Sequence, residues 1–231
     1  MHSMNTNSTN QVPQQVLRKG GQLPPVFRWF SGQCVLRQID AADVPRIWKA
    51  VLHPAYERCW TVSIPHSEPE VAALVATAQA DWRRGSRYVM AVQRRQTHEF
   101  IGWVEARRHE RGAMPGVWTL DWFLHPSFVA SSLALEALSA AADLMMNALD
   151  ARLLRASCPA GHGHFEQLLR AAGFSEHVPA GSLDPDNARP RAQSLHVMTR
   201  YDWARLRGAQ SAAAPQTLGG YTVPKLELSL L

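Results

Sequence analysis

Strand-like and helix-like segments alternate along residues 34–200 of this chain of 231 residues. Short stretches with apolar residues at every second position predict β-strands, and longer stretches with apolar residues three and four apart predict helices. The predicted strands are 34–38, 87–93, 100–106, 117–124, 153–158 and 194–200, and the predicted helices are 41–52, 67–82, 129–149 and 164–172. The resulting order, β-α-α-β-β-β-α-β-α-β, predicts an α/β fold with a mixed sheet and helices on both of its faces.

Residues that favour helix ends support several of these boundaries. Asp40 precedes the first helix as an N-cap, and Ser67 precedes the second, with Pro69 in its first turn. Pro54 marks the end of the first helix, because the residue before a proline disfavours the helical conformation. Gly173 follows the last predicted helix at the position where glycine commonly ends a helix.

Composition predicts one domain between two tails. The chain is 46% hydrophobic, which is enough for a single core. Residues 1–31 are rich in Asn, Gln, Ser and Pro and predict a flexible N-terminal extension, although the apolar residues at 26–30 could also pack on the domain. Residues 32–207 form the predicted domain. Residues 208–231 form a predicted C-terminal tail.

The chain is basic, with a formal net charge of +5, and nearly all of its cations are arginines. This charge favours acidic ligands or partners. The pairs at 83–84, 94–95 and 107–108 carry no recognised nucleic-acid motif, so we expect them to be solvated faces and do not expect nucleic acid as a partner. No apolar run of membrane-spanning length occurs, and three cysteines without metal-ligand spacing predict a cytoplasmic protein without a metal site.

Five short segments carry a resemblance to a known family. They occur in the family's order and spacing, and they are Leu36-Arg37-Gln38-Ile39 followed by Asp43, then FIG at 100–102, WTLDWFLHP at 118–126, LLRAAGF at 168–174 and HVMTRYDW at 196–203. Together they resemble the GCN5-related N-acetyltransferase (GNAT) family, in its ribosomal-protein alanine N-acetyltransferase branch. The resemblance implies the GNAT fold, an α/β architecture with a central sheet of about six to seven strands.

The resemblance also implies that acyl-CoA is a cosubstrate, bound through its pyrophosphate at 129–134. Family members use Gln/Arg-x-x-Gly-x-Gly/Ala there, because backbone N–H groups at a helix start bind phosphate and glycine allows a close approach. In this chain Val129 replaces the polar anchor, Ser132 replaces a glycine and Ala134 fits. The resemblance assigns cofactor contacts to Val129, Ala130, Ser131, Ser132, Leu133 and Ala134. An N-capping serine pair on an ordinary helix is the alternative reading of this segment.

Catalysis in this family needs a base for the attacking amine. Thr119 stands where the branch often has Glu, and Thr is no base at neutral pH. Strand alternation puts Asp121 on the same face as Thr119, which makes Asp121 the first candidate base and Glu105, on the neighbouring strand, the second. A solvent-facing or arginine-paired aspartate is the alternative interpretation of Asp121.

Further contacts follow from the resemblance. The backbone amides of Phe123 and Leu124 would lie near the thioester carbonyl, provided that the strands at 117–124 and 153–158 splay apart. His162 stands where a cofactor-contacting Asn is usual and could serve as a hydrogen-bonding partner or as an acid or base. Phe165 replaces a cofactor-contacting Ser or a general-acid Tyr and has no proton to give.

Two functions are compatible with these residues. The first is an acyl-CoA-dependent N-acyltransferase, expected to be an acetyltransferase, that acts on the amine of a protein N-terminus or of a small molecule. The second is a GNAT-fold binding or scaffold module that has lost catalysis. The sequence leaves the acceptor open, and it also leaves a monomer or a homodimer open.

Overall fold

The computed structural model of the chain describes residues 22–54, 65–109, 115–159, 163–177, 193–213, 217–218 and 221–222. Its strands are β1 (Arg28–Phe30), β2 (Cys34–Gln38), β3 (Arg87–Arg94), β4 (Phe100–Arg108), β5 (Val117–Leu124), β6 (Leu153–Pro159), β7 (Ser175–His177), β8 (Gln193–Thr199), β9 (Thr217–Leu218) and β10 (Tyr221–Thr222). Its helices are α1 (Val44–Val51), α2 (Glu68–Arg84), α3 (Ser132–Asn147), α4 (Gly163–Ala171) and α5 (Arg200–Ala213), and a 3-10 turn, Ala41–Asp43, precedes α1.

Eight strands form one mixed sheet in the order β1-β2-β3-β4-β5-β6-β8-β7. Every neighbouring pair is antiparallel except β5 and β6, which are parallel. The predicted mixed sheet is therefore confirmed, with a strand count somewhat above the six or seven expected. The two additional strands, β1 and β7, have three residues each, which is too short for alternation to be recognised in a sequence.

The domain boundaries predicted from composition are approximate at both ends. β1 lies within the predicted extension at 1–31, but its residues pair with Val35–Arg37 of β2. α5 runs past residue 207 to Ala213. The last predicted strand ends one residue early, at Thr199, because α5 begins at Arg200. Asp202, in the first turn of α5, accepts a hydrogen bond from the Thr199 hydroxyl at 2.5 Å. The division into 1–31, 32–207 and 208–231 otherwise stays a prediction.

The helix ends show the predicted chemistry. Asp40 accepts a hydrogen bond from Ala42 N–H at 2.8 Å, and Ser67 caps α2. Gly173 has φ +97°, a left-handed conformation that glycine adopts without strain. The helix predicted at 129–149 is shorter than expected: α3 begins at Ser132 and ends at Asn147.

Apolar residues on the two faces of the sheet form two separate clusters, because neighbouring strand residues point to opposite faces. One cluster contains the buried residues of α3 and α4 together with Met90 and Leu120. The other contains residues of α1 and α2 together with Val89, Trp103 and Phe123. Helices thus pack on both faces, as predicted. Within the described ranges, none of the helices has the length and apolar character needed to cross a bilayer.

Candidate active site

The parallel pair β5–β6 separates halfway along its length. Its paired residues are Val117 with Leu153, Trp118 with Leu154, and Thr119 with Arg155. β5 continues beyond Thr119 to Leu124, and β6 continues to Pro159, without further pairing between them. The strands therefore splay apart from Leu120 onward, which leaves the backbone at the end of β5 open toward β6.

The ladder on the other side of β5 decides which amides face this opening. His125 N–H donates to the carbonyl of Ile101 at 2.7 Å, and the β4–β5 register is regular from there to Trp118. In an antiparallel ladder, alternate residues direct their N–H groups to the same neighbour. The Leu124 N–H therefore points into the splay, whereas the Phe123 N–H points toward Trp103 on β4. Of the two amides predicted to approach a thioester, only that of Leu124 has this direction.

The segment that leads into α3 lies at the end of the same strand. Ser131 occupies the N-cap position, but its hydroxyl donates to the carbonyl of Phe128 at 2.6 Å and makes no capping bond. Ala134 N–H bonds to Ser131 O at 3.1 Å. Among the described residues, no acceptor is found for the N–H groups of Ser132 and Leu133. Two donors and the positive end of the helix dipole thus face outward together.

The side chains of this segment divide into buried and exposed positions. Val129, at the position of the family's polar anchor, packs against the core, and its carbonyl accepts a hydrogen bond from His164 Nε2 at 2.8 Å. Ala134 is fully buried. Ala130 and Ser132 are exposed and small, so they leave the helix start accessible. The segment therefore keeps the amides that a phosphate would use and lacks a polar side chain at 129.

A pocket of about 530 Å³ opens at the start of α3. This volume is in the range of small-molecule sites. Its walls are formed by the β1–β2 turn, by the end of β3 with the β3–β4 turn, and by the start of α3. The lining residues are Gly32, Gln33, Arg94, Arg95, Gln96, Ser131, Ser132 and Leu133. The two arginines make this an electropositive pocket. The sequence pattern predicted them only as a solvated pair, because nothing local places the β3–β4 turn beside residues 131–133.

Asp121 and Glu105 are paired residues in the β4–β5 ladder. Their side chains lie on the sheet face that carries Trp103 and Phe123. Asp121 is 19% exposed, and the nearest cation is Arg107, whose Nη2 lies 3.5 Å from Asp121 Oδ2. Thr119, two residues earlier on the same face, is half-buried. The arginine pairing weighed as an alternative for Asp121 is thus present, but as a single long contact.

Glu105 is held much more tightly. Arg87 Nη2 lies 2.6 Å from Glu105 Oε2, and Arg107 Nη2 lies 2.5 Å from Glu105 Oε1. Burial disfavours the charged carboxylate, but the hydrogen bonds and charges of the two arginines outweigh it, so the pKa of Glu105 lies below its usual range. A carboxylate in this state is a weak base. Strand alternation could have placed Arg107 beside Glu105, but Arg87 comes from another strand.

The environment of Asp121 has the opposite effect. Burial and the neighbouring charge of Glu105 raise the pKa of Asp121 to about 6, against the opposing influence of Arg107 and Arg87. A general base is most effective when its pKa is near the working pH. Two carboxyls on adjacent strands with pKa values moved in opposite directions are a pattern found at acid–base sites. Asp121 is therefore the better suited of the two as a base.

The remaining candidates are Phe165 and His162. Phe165 is 7% exposed and belongs to the core cluster beneath α3 and α4, so it fills space under α4. His162 lies outside the described residues, and its role stays a prediction. In the described part of the chain, no group of three or more His, Cys, Asp or Glu side chains could hold a metal ion.

Comparison with known proteins identifies the family. The model of the acetyltransferase (GNAT) domain matches residues 33–175, which is more than half of the chain. No curated protein sequence matches significantly. Among solved structures, similar folds include RimJ of Mycobacterium smegmatis in complex with a coenzyme A disulfide (TM-score 0.64, 17% identity, covering 80% of this chain and 94% of that one).

Two further structures have comparable similarity. The ribosomal L7/L12 alpha-N-protein acetyltransferase RimL in complex with coenzyme A has a TM-score of 0.62 at 16% identity and covers 73% of this chain and 95% of that one. A chimera of the Vibrio cholerae spermidine N-acetyltransferase SpeG has a TM-score of 0.61 at 17% identity and covers 75% of this chain and 99% of that one. At these identities the similarity shows only that the folds are alike. Together with the domain match, the open end of β5 and the start of α3, they lead to the conclusion that this chain belongs to the GNAT family of acyl-CoA-dependent N-acetyltransferases.

Proposed function

We propose that this acetyltransferase binds acetyl-CoA in the splay between β5 and β6 and transfers the acetyl group to the amine of a protein N-terminus or of a small molecule. The observation that carries this proposal is the end of β5–β6 pairing at Thr119 and Arg155, beside a helix start with two amides that have no acceptor among the described residues. The splay exposes backbone donors on β5, and the helix start offers donors for phosphate. Both features lie at the C-terminal end of β5, within reach of one long polyanionic thioester.

The start of α3 supports pyrophosphate binding despite its divergent sequence. Replacing a glycine by Ser132 adds a side chain, but that side chain is exposed and the backbone N–H remains available. Val129 cannot contact a phosphate with a polar group. We therefore assign phosphate contacts to the N–H groups of Ser132 and Leu133, with Ala130 and Ser131 bordering the same site.

The proposed reaction is a direct transfer. The amine nitrogen attacks the thioester carbon, a C–N bond forms and the C–S bond breaks. The Leu124 N–H, which points into the splay, stabilises the developing oxyanion. Asp121 takes the proton that the attacking amine loses, and the departing coenzyme A thiolate is protonated. Phe165 cannot supply that proton, so His162 or solvent supplies it.

The neighbourhood of Asp121 also suits an amine acceptor. Asp121 and Glu105 bring two carboxyls to one position, and one of them, Glu105, is already neutralised by Arg87 and Arg107. A cationic amine that approaches this face meets Asp121 as the less strongly paired carboxyl. The similar structures include one named for a protein N-terminus and one named for spermidine, which supports testing both kinds of acceptor.

Acetyl-CoA binding and turnover test the proposal. Acetyl-CoA at 100 times its dissociation constant should stabilise the protein by about 2.7 kcal/mol in thermal unfolding. Release of free coenzyme A thiol should then depend on an added amine, to be sought among N-terminal peptides and polyamines. Binding without any amine-dependent release would favour the binding or scaffold module. Absence of stabilisation at millimolar acetyl-CoA would contradict both the proposed site and the proposed activity.

A further inference from the structure

The pocket at the start of α3 contains two cations that the family's phosphate-binding segment does not include. That segment is confined to 129–134, whereas Arg94 is the last residue of β3 and Arg95 follows it in the β3–β4 turn, earlier in the chain. Both arginines line the pocket together with Ser131, Ser132 and Leu133. Cations from a different turn therefore face the same space as the amides at the helix start.

Each arginine is positioned by an aromatic ring. The guanidinium carbon of Arg94 lies 5.7 Å from the centre of the Phe128 ring, and that of Arg95 lies 5.7 Å from the centre of the Phe30 ring. Such stacking orients a guanidinium while leaving its N–H groups at the edge free to donate. Phe128 lies in the turn that leads into α3, so its contact with Arg94 joins the two turns directly.

The described part of the chain gives these arginines little negative charge to pair with. No carboxylate of the described residues lies within ion-pair distance of Arg95. Arg94 has one distant partner, Glu99, with 3.8 Å between Arg94 Nε and Glu99 Oε2. Arg94 Nε is buried, yet it has no hydrogen-bond partner among the described residues. An acceptor supplied from outside would satisfy these donors, since buried polar groups generally have partners.

The walls of the pocket are fixed by hydrogen bonds between its turns. One carboxylate oxygen of Glu136, on α3, accepts from the Ser31 hydroxyl at 2.6 Å and from the amides of Gln33 and Cys34. Arg95 N–H in turn donates to the carbonyl of Gln33 at 2.6 Å. These bonds connect the β1–β2 turn, the β3–β4 turn and α3. The arginines are therefore held in place before a ligand arrives, which lowers the ordering cost of binding.

We propose that Arg94 and Arg95 bind phosphate oxygens of the acyl-CoA and supply the anchoring that Val129 cannot. The inference rests on the proposed function, because it takes acyl-CoA as the ligand. Guanidinium groups bind phosphate through paired N–H donors, and they act here beside the amides of Ser132 and Leu133. The phosphate in question is either the pyrophosphate or the 3′-phosphate of coenzyme A.

A double variant, Arg94→Gln with Arg95→Gln, tests this inference by calorimetry. The matched control is Arg83→Gln with Arg108→Gln, which removes two exposed arginines near the opposite ends of β3 and β4. We expect the double variant to bind acetyl-CoA at least about tenfold more weakly than wild type and the control to bind as wild type does. The deficit should shrink at high salt, because exposed charges are screened. Thermal unfolding checks that both variants fold.

Truncated ligands distinguish the two phosphates. S-acetylpantetheine has no phosphate, and the double variant should bind it as tightly as wild type does. An equal deficit for acetyl-CoA and acetyl-dephospho-CoA assigns the arginines to the pyrophosphate. A deficit for acetyl-CoA alone assigns them to the 3′-phosphate.

Two results would overturn the inference while leaving the proposed function intact. The first is unchanged acetyl-CoA affinity in the double variant, and the second is an equal loss of affinity for S-acetylpantetheine. If wild-type protein itself bound no acetyl-CoA, the proposed function would fail, and this inference with it. If the double variant does bind acetyl-CoA more weakly, the single variants Arg94→Gln and Arg95→Gln show how much of the lost affinity belongs to each side chain.

Discussion

Asp121 lies directly opposite Glu105 across the β4–β5 ladder, and the two carboxyls are held in different ways. Arginine nitrogens contact both oxygens of Glu105 at 2.5 and 2.6 Å, whereas Asp121 has one such nitrogen at 3.5 Å. The first carboxyl is therefore a fixed anion, and its charge helps to raise the pKa of the second. This asymmetry is why we propose Asp121, rather than Glu105, as the base.

Replacing Asp121 by Asn removes the proposed base with little change in size. We expect Asp121→Asn to lower kcat by about 100-fold or more, the usual contribution of a general base. Affinity for acetyl-CoA should stay near that of wild type, since no phosphate contact is changed. Asp202→Asn is the matched control, because it makes the same change in the first turn of α5, outside the β4–β5 ladder. Unchanged turnover in Asp121→Asn would exclude Asp121 from the mechanism.

The raised pKa of Asp121 predicts the pH dependence of the reaction. kcat/KM should rise with pH through an apparent pKa of about 6 as Asp121 becomes ionised. Deprotonation of the acceptor's ammonium group to the neutral amine adds a second rise at higher pH, which Asp121→Asn should retain while losing the first. Rates measured from pH 5 to 9 in both proteins provide the comparison. A rise near pH 6 that persists in the variant would belong to another group.

The same shift predicts an effect on stability. The folded-state pKa of Asp121 is raised above its unfolded value, so Asp121 favours the folded protein fully below about pH 4 and loses that effect as pH rises through about 6. Asp121→Asn should consequently gain stability relative to wild type between pH 4.5 and 7.5, by about 2 kcal/mol. Urea unfolding of both proteins at these two pH values measures the difference. An equal difference in the free energy of unfolding at the two pH values would contradict the raised pKa of Asp121.

Glu105→Gln separates positioning from proton transfer. Loss of the Glu105 carboxylate leaves Arg87 and Arg107 without their main partner, which should destabilise the fold by about 3 kcal/mol. It also removes a negative charge that raises the pKa of Asp121. The pH dependence of kcat/KM should therefore shift to lower pH, while kcat at pH 8 falls far less than in Asp121→Asn. If Glu105 were the base, Glu105→Gln would lose kcat at pH 8 at least as strongly as Asp121→Asn.

Gly102 keeps β4 and β5 close together where β5 opens toward β6. A Cβ on this residue would overlap the carbonyl oxygen of Phe123 and approach Leu124 Cα within 2.9 Å. Gly102→Ala should displace the end of β5, destabilise the protein by about 1–3 kcal/mol and weaken acetyl-CoA binding. Gly208→Ala, inside α5 with nothing within 4 Å, is the matched control and should be neutral or stabilising. Unchanged affinity in Gly102→Ala would argue against a ligand at the end of β5.

The sequence was sufficient for the parts of the fold that depend on local patterns. Alternation located six of the sheet strands, and caps such as Ser67 and Gly173 located helix ends, because each signal lies within a few neighbouring residues. The three-residue strands β1 and β7 were missed, since their pairing with β2 and β8 depends on tertiary contacts.

The candidate site was less predictable, because its chemistry depends on residues distant in sequence. Asp121 could be selected from strand alternation. The clamp of Arg87 on Glu105 and the approach of Arg94 to Phe128 join different strands and turns. The direction of the Leu124 amide depends on ladder register, which no local pattern specifies.

Backbone amide NMR during an acetyl-CoA titration tests the central claim most directly. If the ligand occupies the splay and the start of α3, the amide signals of Leu124, Ser132 and Leu133 should shift saturably and together, with one dissociation constant. The amide signals of α5 should remain unshifted. Saturable binding that leaves those three signals unmoved would place acetyl-CoA elsewhere and contradict the proposed site.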